Sequence, residues 1–268
     1  MKRILVPCNF SSYAEKAFRF ALQLAEKSEG RLFVCTIISE PDALPTKSSM
    51  SEEIAREKFA DFIMRINPGD VPVEHHIHAG KITVAVSELV EALAIDLVVM
   101  GTQGSRGWQE AFMGSNIGKV VRTCPIPVVA VKNDTTLSRI KNIVFPCGMK
   151  PEEEQLLSKV KMLQEFFDAR LHLLYVNTHP RRDNQQSMQH LQKLASQYQL
   201  HHFNIHVVHS AIEKDGILQF AREMNADLIA MGTHGNRNPG NMYVSSIAAD
   251  IVNYAPTMTW TCATERRE

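Results

Sequence analysis

Apolar and polar positions along this chain switch repeatedly between a period of two and a period near 3.6. Arg3–Pro7 is a short apolar run closed by proline and predicts a buried strand. Ser12-x-x-Glu15 fits a capping box. Ala14, Phe18, Ala21, Leu22 and Ala25 then share one helical stripe, which Gly30 ends. Leu32–Ile38 predicts a second strand. Ile54, Phe59, Phe62, Ile63 and Ile66 predict a helix closed by Pro68-Gly69. Val73–His78 alternates as a strand does, and Val84–Ala94 is helical with Val86, Leu89, Val90 and Leu93 turned inward. Leu97–Met100 is a wholly apolar strand ending at Gly101. A polar, glycine-containing segment runs from there to Gly114, followed by a helix over Ser115–Thr123 and a strand over Pro127–Val131.

Strands alternating with helices predict parallel sheets covered on both faces, with right-handed crossovers. The pattern occurs twice. Asp96-Leu-Val-Val-Met-Gly-Thr-Gln-Gly104 returns as Asp227-Leu-Ile-Ala-Met-Gly-Thr-His-Gly235, an offset of 131 residues. That offset also carries His78 onto His209, Arg106 onto Arg237, Ser115 onto Ser246 and Pro125 onto Pro256, in one gapless register. The starts match as well, Ile4-Leu-Val-Pro-Cys8 with Ile143-Val-Phe-Pro-Cys147, at an offset of 139. About eight extra residues therefore sit in the first copy, placed near the Pro- and Ser-rich stretch Glu40–Ser51. The expected fold class is α/β: two tandem, doubly wound, parallel five-stranded sheets of Rossmann-like order 3-2-1-4-5. The expected domains are 1–133 and 140–268, parted by a polar stretch near Asn133–Ser138. In the second copy, Pro151 suits a first helical position, with Glu152, Glu153 and Glu154 against the positive helix end.

In such a sheet, ligands sit beyond the carboxyl ends of the strands where the order reverses. Pro7-Cys8-Asn9 and Gly101–Ser115 would meet there. The second segment reads Gly101-x2-Gly104-x9-Gly114-Ser115-Asn116. Glycines at 101 and 104 let backbone approach a phosphate, and their N–H groups can form an anion nest. Gly114-Ser115 opens a helix whose free N–H groups face the same anion. Ser115 can donate a hydroxyl hydrogen, and Arg106 can add charge or remain solvated. A plain tight turn is the alternative for the glycines alone.

This spacing, with Asp96–Gly101 before it and Pro125–Val129 after it, resembles the nucleotide signature of the universal stress proteins. Ile4–Pro7 and the helix from Ser12 resemble that family's start. The likeness spans nearly the whole chain as two copies. It implies an adenine nucleotide, ATP or another, with or without Mg2+, held for a regulatory role in stress response. Carried over, Pro7 and Asn9 flank the adenosine, Ile37 packs on the base, and Met100 and Gly101 contact base and ribose. Gly104, Gly114, Ser115 and Asn116 hold the phosphates. The family usually has an acidic residue where Asn9 stands. The second copy keeps Gly232 and Gly235 but has Ser245-Ser246 in place of Gly-Ser, with Pro239 inside the loop and Cys147-Gly148-Met149 after its first strand. It reads as a degenerate nucleotide loop. The resemblance also implies pairing of the last strands, Val128–Val131 with Thr257–Thr261, as an intramolecular pseudo-dimer. A further homodimer is left open.

Composition narrows the remaining choices. The 268 residues carry 29 basic and 29 acidic side chains, a formal net charge of zero, which favours neither nucleic acid nor an anionic membrane. No apolar run approaches a membrane span, and the N-terminal one is too short for an export signal, so a cytoplasmic location is expected. The five cysteines are odd in number and lack a Cys-x-x-Cys pair, which argues for buried, reduced thiols. Cys8 and Cys147 hold matching strand-end positions, where a helix N-terminus can lower a thiol pKa. His75, His76, His78 and His201, His202, His206, His209 cluster, but no completing ligand set accompanies them, so surface or strand-edge roles are expected. No Walker lysine, Ser-His-Asp set or paired metal carboxylates joins the glycine loop, so at most slow ATP hydrolysis is expected. Two other readings stand beside the nucleotide-binding regulator. One is a non-binding pseudo-dimer scaffold of the same fold. The other is an adenylating enzyme.

Overall fold

The computed structural model describes residues 1–38, 50–102, 116–148, 156–179, 183–234 and 247–264. The chain falls into two compact units, Met1–Thr135 and Thr136–Glu268. The first contains β1 (Arg3–Pro7), α1 (Ser12–Ser28), β2 (Arg31–Ile38), α2 (Glu52–Ile66), β3 (Val73–Ala79), α3 (Ile82–Ala92), β4 (Leu97–Gly101), α4 (Asn116–Thr123) and β5 (Val128–Val131). The second contains β6 (Asn142–Pro146), α5 (Leu157–Phe167), β7 (Arg170–Asn177), α6 (Asn184–Gln197), β8 (Phe203–His209), α7 (Glu213–Glu223), β9 (Leu228–His234), α8 (Ile247–Tyr254) and β10 (Met258–Thr264).

The strands of the first unit lie in the order β3-β2-β1-β4-β5 and those of the second in the order β8-β7-β6-β9-β10. All neighbours within each unit are parallel. This is the α/β class that the alternation of elements implied and the 3-2-1-4-5 order expected with it. The central strands are apolar without interruption because both their faces are covered: Ile4, Leu5, Val6, Val98 and Val99 are fully buried.

Local chemistry differs from the sequence reading at three caps. The N-cap of α1 is Ser11, whose Oγ accepts from the Ala14 N–H at 3.3 Å, so the capping box beginning at Ser12 does not form. The left-handed residue closing α1 is Glu29, φ 51°, not Gly30. Gly30 is needed for another reason: a Cβ there would stand 2.7 Å from the Lys2 carbonyl oxygen. Asn67, φ 54°, closes α2 ahead of Pro68-Gly69. The buried stripe of α1 runs through Ala17 and Leu24, and Leu22 is only half-buried.

The gapless repeat is also corrected. The 139-residue offset superposes β2 on β7, and the strand registers then set Ile37 beside His78 but Val176 beside Val208. His78 corresponds to Val208, and His209 to Ala79. The turn from β8 to α7 is one residue longer than that from β3 to α3. A one-residue slip moves a side chain to the other face of the sheet, so His78 and His209 are not equivalent.

One fixture is identical in both units. The Asp96 carboxylate accepts from the backbone N–H of Lys2 and Arg3 at 2.8 and 3.0 Å, and the Asp227 carboxylate accepts from those of Lys141 and Asn142 at 2.9 and 2.8 Å. The aspartate opening each Asp-Leu motif thus ties the amino end of β4 or β9 to that of β1 or β6. Hydrogen bonds to a charged acceptor are worth more than neutral ones. Asp96→Ala and Asp227→Ala are each expected to lower stability by about 2 kcal/mol. Urea denaturation of both variants checks this, and a loss confined to one of them would contradict the equivalence of the units.

Candidate functional site: the strand-order reversal of the first unit

β1 has β2 on one side and β4 on the other, so the chain reverses its winding between β1 and β4. Their register holds only for Ile4 with Leu97 and Leu5 with Val98, although β1 continues to Pro7 and β4 to Gly101. By contrast, β1 pairs with β2 along its whole length, Arg3 through Pro7. The carboxyl ends of β1 and β4 therefore part at the switch point. Of the predicted site residues, Pro7, Asn9, Met100 and Gly101 converge on that edge.

Each is held by its own neighbours. Asn9 follows β1 and is exposed; its Oδ1 accepts from the Ser11 N–H at 3.2 Å and from the Ser11 hydroxyl at 2.7 Å. This turn sets the chain into α1, with Phe10 in the left-handed region at φ 61°. What Asn9 can offer a ligand is the Nδ2 donor. Pro7 is buried, and Met100 is buried on β4 beside Ala130. Gly101 has its bare Cα pressed against the first turn of α1: a Cβ there would lie 2.0 Å from the Tyr13 carbonyl oxygen. Helix packing already requires this glycine, whatever else approaches it.

Ile37 lies near the end of β2, half-buried and beside His78. Asn116 is the first residue of α4 and is exposed. Gly104, Arg106, Gly114 and Ser115 lie outside the described residues, as do Gly235, Arg237, Pro239, Ser245, Ser246 and the Pro151–Glu154 segment.

Cys8 does not behave as a helix-activated thiol. It is buried, and burial pushes its pKa up to about 11 against the smaller opposing effect of the Phe10 N–H, which donates to its sulfur at 3.4 Å. Cys35, paired across from Pro7, is pushed up to about 12 by burial. Both are protonated at neutral pH. Cys147 is likewise buried in the second unit.

The first histidine cluster sits on β3. His75 Nε2 is 2.9 Å from Thr36 Oγ1, and its ring stacks on Phe59 at 4.0 Å. Burial lowers its pKa to about 4, so the ring is neutral near pH 7. Among the described residues, no group of three or more His, Cys, Asp or Glu converges as a metal site. Nor is any described helix long and apolar enough to cross a membrane. Two features escaped the sequence reading: the Asp96 and Asp227 ties, and His172, which is buried on β7 and partners His206. The aspartates could have been found from their place at the head of both repeated motifs.

Comparison with known proteins bears on the fold and the family. A universal stress protein of Methanocaldococcus jannaschii is 22% identical over 139 residues, covering 49% of this chain and 82% of that one. The crystal structure of a universal stress protein from Archaeoglobus fulgidus DSM 4304 covers 99% of this chain and 97% of its own, with a TM-score of 0.79 at 19% identity. A universal stress protein crystallised in complex with cAMP covers 47% of this chain and 98% of its own, with a TM-score of 0.42 at 14% identity. The family model described as the universal stress protein family matches residues 1–132 and again 139–262. A duplicated α/β unit, matched by that family in each copy, leads to one conclusion: the chain belongs to the universal stress protein family, as a tandem of two of its domains.

Proposed function

We propose that the first unit binds an adenine nucleotide, ATP or a close relative with or without Mg2+, at the carboxyl ends of β1 and β4, and that this binding serves a regulatory role. The observation that carries the reading is the parting of β1 and β4 after two paired positions, at the reversal of strand order; β6 and β9 part in the same way, and it is Asn9, against Gly148 in the second copy, that favours the first unit. An open sheet offers a ligand its crevice there. Asn9 presents its Nδ2 donor at that edge, and Asn116 begins a helix whose N–H groups suit an anion. Gly104, Gly114 and Ser115 would cradle the phosphates, with Arg106 supplying charge. The second unit has Gly148 where the first has Asn9 and serves a structural role in this reading. At most slow ATP hydrolysis accompanies binding, since phosphoryl transfer needs mainly positioning and charge neutralisation and the sequence carries no Walker lysine or paired metal carboxylates beside the glycine loop.

A scaffold that binds no nucleotide is the second reading, and two observations favour it. The Asn9 Oδ1 is already engaged by Ser11, and the open side of Gly101 is filled by Tyr13. Calorimetric titration of the full chain with ATP and with AMP, with and without Mg2+, separates the two. One site per chain is expected, and Asn9→Ala should weaken it roughly tenfold, as for loss of one hydrogen bond of about 1.4 kcal/mol. No heat at millimolar nucleotide, together with no nucleotide in the mass spectrum of freshly purified protein, would leave the scaffold reading standing.

A further inference from the structure

The second unit sets an amine against a buried thiol at positions where the first has only hydrocarbon. Lys159 on α5 donates from Nζ to Cys262 Sγ on β10 at 3.3 Å. The thiol in turn directs its hydrogen to the Ala263 carbonyl oxygen at 3.5 Å. Cys262 is 1% exposed, whereas Lys159 is exposed and bends its amine inward. The repeat offsets place these two residues on Phe20 and Val131, both buried. Packing at this position is thus met by a phenyl ring and an isopropyl group in one copy. In the other copy the exposed Lys159 reaches the buried sulfur with its amine instead. Directly beside Cys262 in the sheet stands Gly232, which has no side chain.

We propose that Lys159 and Cys262 form an oxidant-triggered covalent link, a sulfenamide, with hydrogen peroxide as the oxidant. In the first step Cys262 gives its proton to the mildly alkaline solvent and its thiolate sulfur attacks peroxide, the hydroxide that departs taking up a proton. The O–O bond breaks, sulfur is oxidised by two electrons to Cys–SOH, and water leaves. In the second step Lys159, having given one proton to solvent, attacks that sulfur through its nitrogen lone pair. The N–S bond forms, the S–O bond breaks, and a second water leaves. The product has two hydrogens fewer than the reduced chain and ties α5 to β10. A neighbouring amine at this distance intercepts the sulfenic acid before a second peroxide can carry it to the sulfinic state. Thiols reverse the link by attacking sulfur and releasing the amine. Peroxide, little larger than water, reaches the sulfur during local opening of the strand end.

The test uses the reduced full-length chain, folded, treated with hydrogen peroxide in mildly alkaline solution, alkylated and digested with a protease that cuts at acidic residues. The expected product is a linked pair of peptides carrying Lys159 and Cys262, lighter by two hydrogens than their sum and separated by dithiothreitol. Lys159→Arg should yield no linked pair and should send Cys262 on to the sulfinic acid. Cys262→Val, which installs the first unit's residue, should leave Lys159 unlinked. Sulfinic acid or unmodified thiol at Cys262 in the parent chain, with Lys159 free, would overturn the proposal. So would a link at Cys262 that persists in Lys159→Arg.

Discussion

Gly101→Ala is expected to destabilise the first unit by about 3 kcal/mol or more, while Gly232→Ala, at the same position of the repeat, should cost the second unit about 1 kcal/mol. The difference lies in what an added methyl group meets. At Gly101 it would stand 2.0 Å from the carbonyl oxygen, 2.3 Å from the carbonyl carbon of Tyr13 and 2.8 Å from the Ala14 nitrogen. All three are backbone atoms in the first turn of α1, which is pinned by the Ser11 cap and the Asn9 turn. Relief requires the whole helix to move off β4, undoing the burial of Ala14, Ala17 and Phe18. At Gly232 the methyl would meet Leu156 Cδ1 at 2.7 Å and Thr264 Cγ2 at 3.1 Å. Both are ends of rotatable side chains, which can give way. Urea denaturation followed by hydrogen exchange, peptide by peptide, assigns each loss to its unit. Equal losses in the two variants, or a loss below about 1 kcal/mol at Gly101, would show that α1 does not rest on β4 as tightly as described. Nucleotide titration of a folded Gly101→Ala chain would not isolate the glycine's part in binding, because the shift of α1 also displaces Asn9. For that reason Asn9→Ala is the better probe of the ligand.

Much of this fold could be read from the sequence because its strongest signals are unambiguous. Runs such as Leu97–Met100 are apolar at every position, which only a strand covered on both faces requires, and the repeated Asp-Leu motif fixes the duplication. The strand order follows from the alternation of strands with helices and from the family likeness. What escaped depends on three-dimensional neighbours. Ser11 and Ser12 are both good caps, and only the backbone path after Asn9 selects Ser11. Gly30 looks like a helix stop, yet the left-handed residue is Glu29, and the glycine answers to Lys2, just ahead of β1. The extra residue between β8 and α7 is hidden when the offset of the Asp-Leu motif is extended back to the histidines, because His78 and His209 match as letters although they hold different register positions. Of the site, Pro7, Asn9, Met100 and Gly101 were brought to one edge as their strand ends dictate. For Cys8 the sequence offered both a buried, reduced thiol and a helix-lowered pKa, and burial is the larger of the two effects. His172 gave no signal at all: a lone histidine in an apolar strand has no pattern until Asn142 and His206 appear beside it.

That histidine should make the second unit sensitive to acid. His172 is 1% exposed; its Nε2 lies 3.3 Å from Asn142 Oδ1 and its Nδ1 lies 3.1 Å from His206 Nε2. The carboxamide oxygen only accepts, so His172 carries its hydrogen on Nε2, and His206 donates from Nε2 to the bare Nδ1. This chain of bonds is complete with both rings neutral. Phe220 packs against both of them. Burial, then the neighbouring His206 and Arg170, lowers the pKa of His172, and burial lowers that of His206. The folded values lie below the unfolded value of about 6.5, so the unfolded chain binds protons first. The stabilisation is therefore present in full above pH 6.5 and is lost as pH falls through and below it, at up to about 1.4 kcal/mol per pH unit for each histidine. Stability is expected to fall between pH 7.5 and 5 through His172 and His206 together. In the first unit the corresponding places hold Arg3, Phe33 and His76, with the Arg3 guanidinium 4.9 Å above the Phe33 ring. A cation over a phenyl ring does not titrate in this range, so the first unit's acid response comes from His75, whose pKa burial lowers to about 4. His172→Phe should thus reduce stability at pH 7.5, by leaving Asn142 and His206 without their partner, yet flatten the decline toward pH 5. Exchange at Arg170–Asn177, followed across that range in the parent and in the variant, reads the slope directly. A variant slope as steep as the parent's would locate the acid response elsewhere, because His172→Phe removes the proton acceptor while keeping a ring against Phe220.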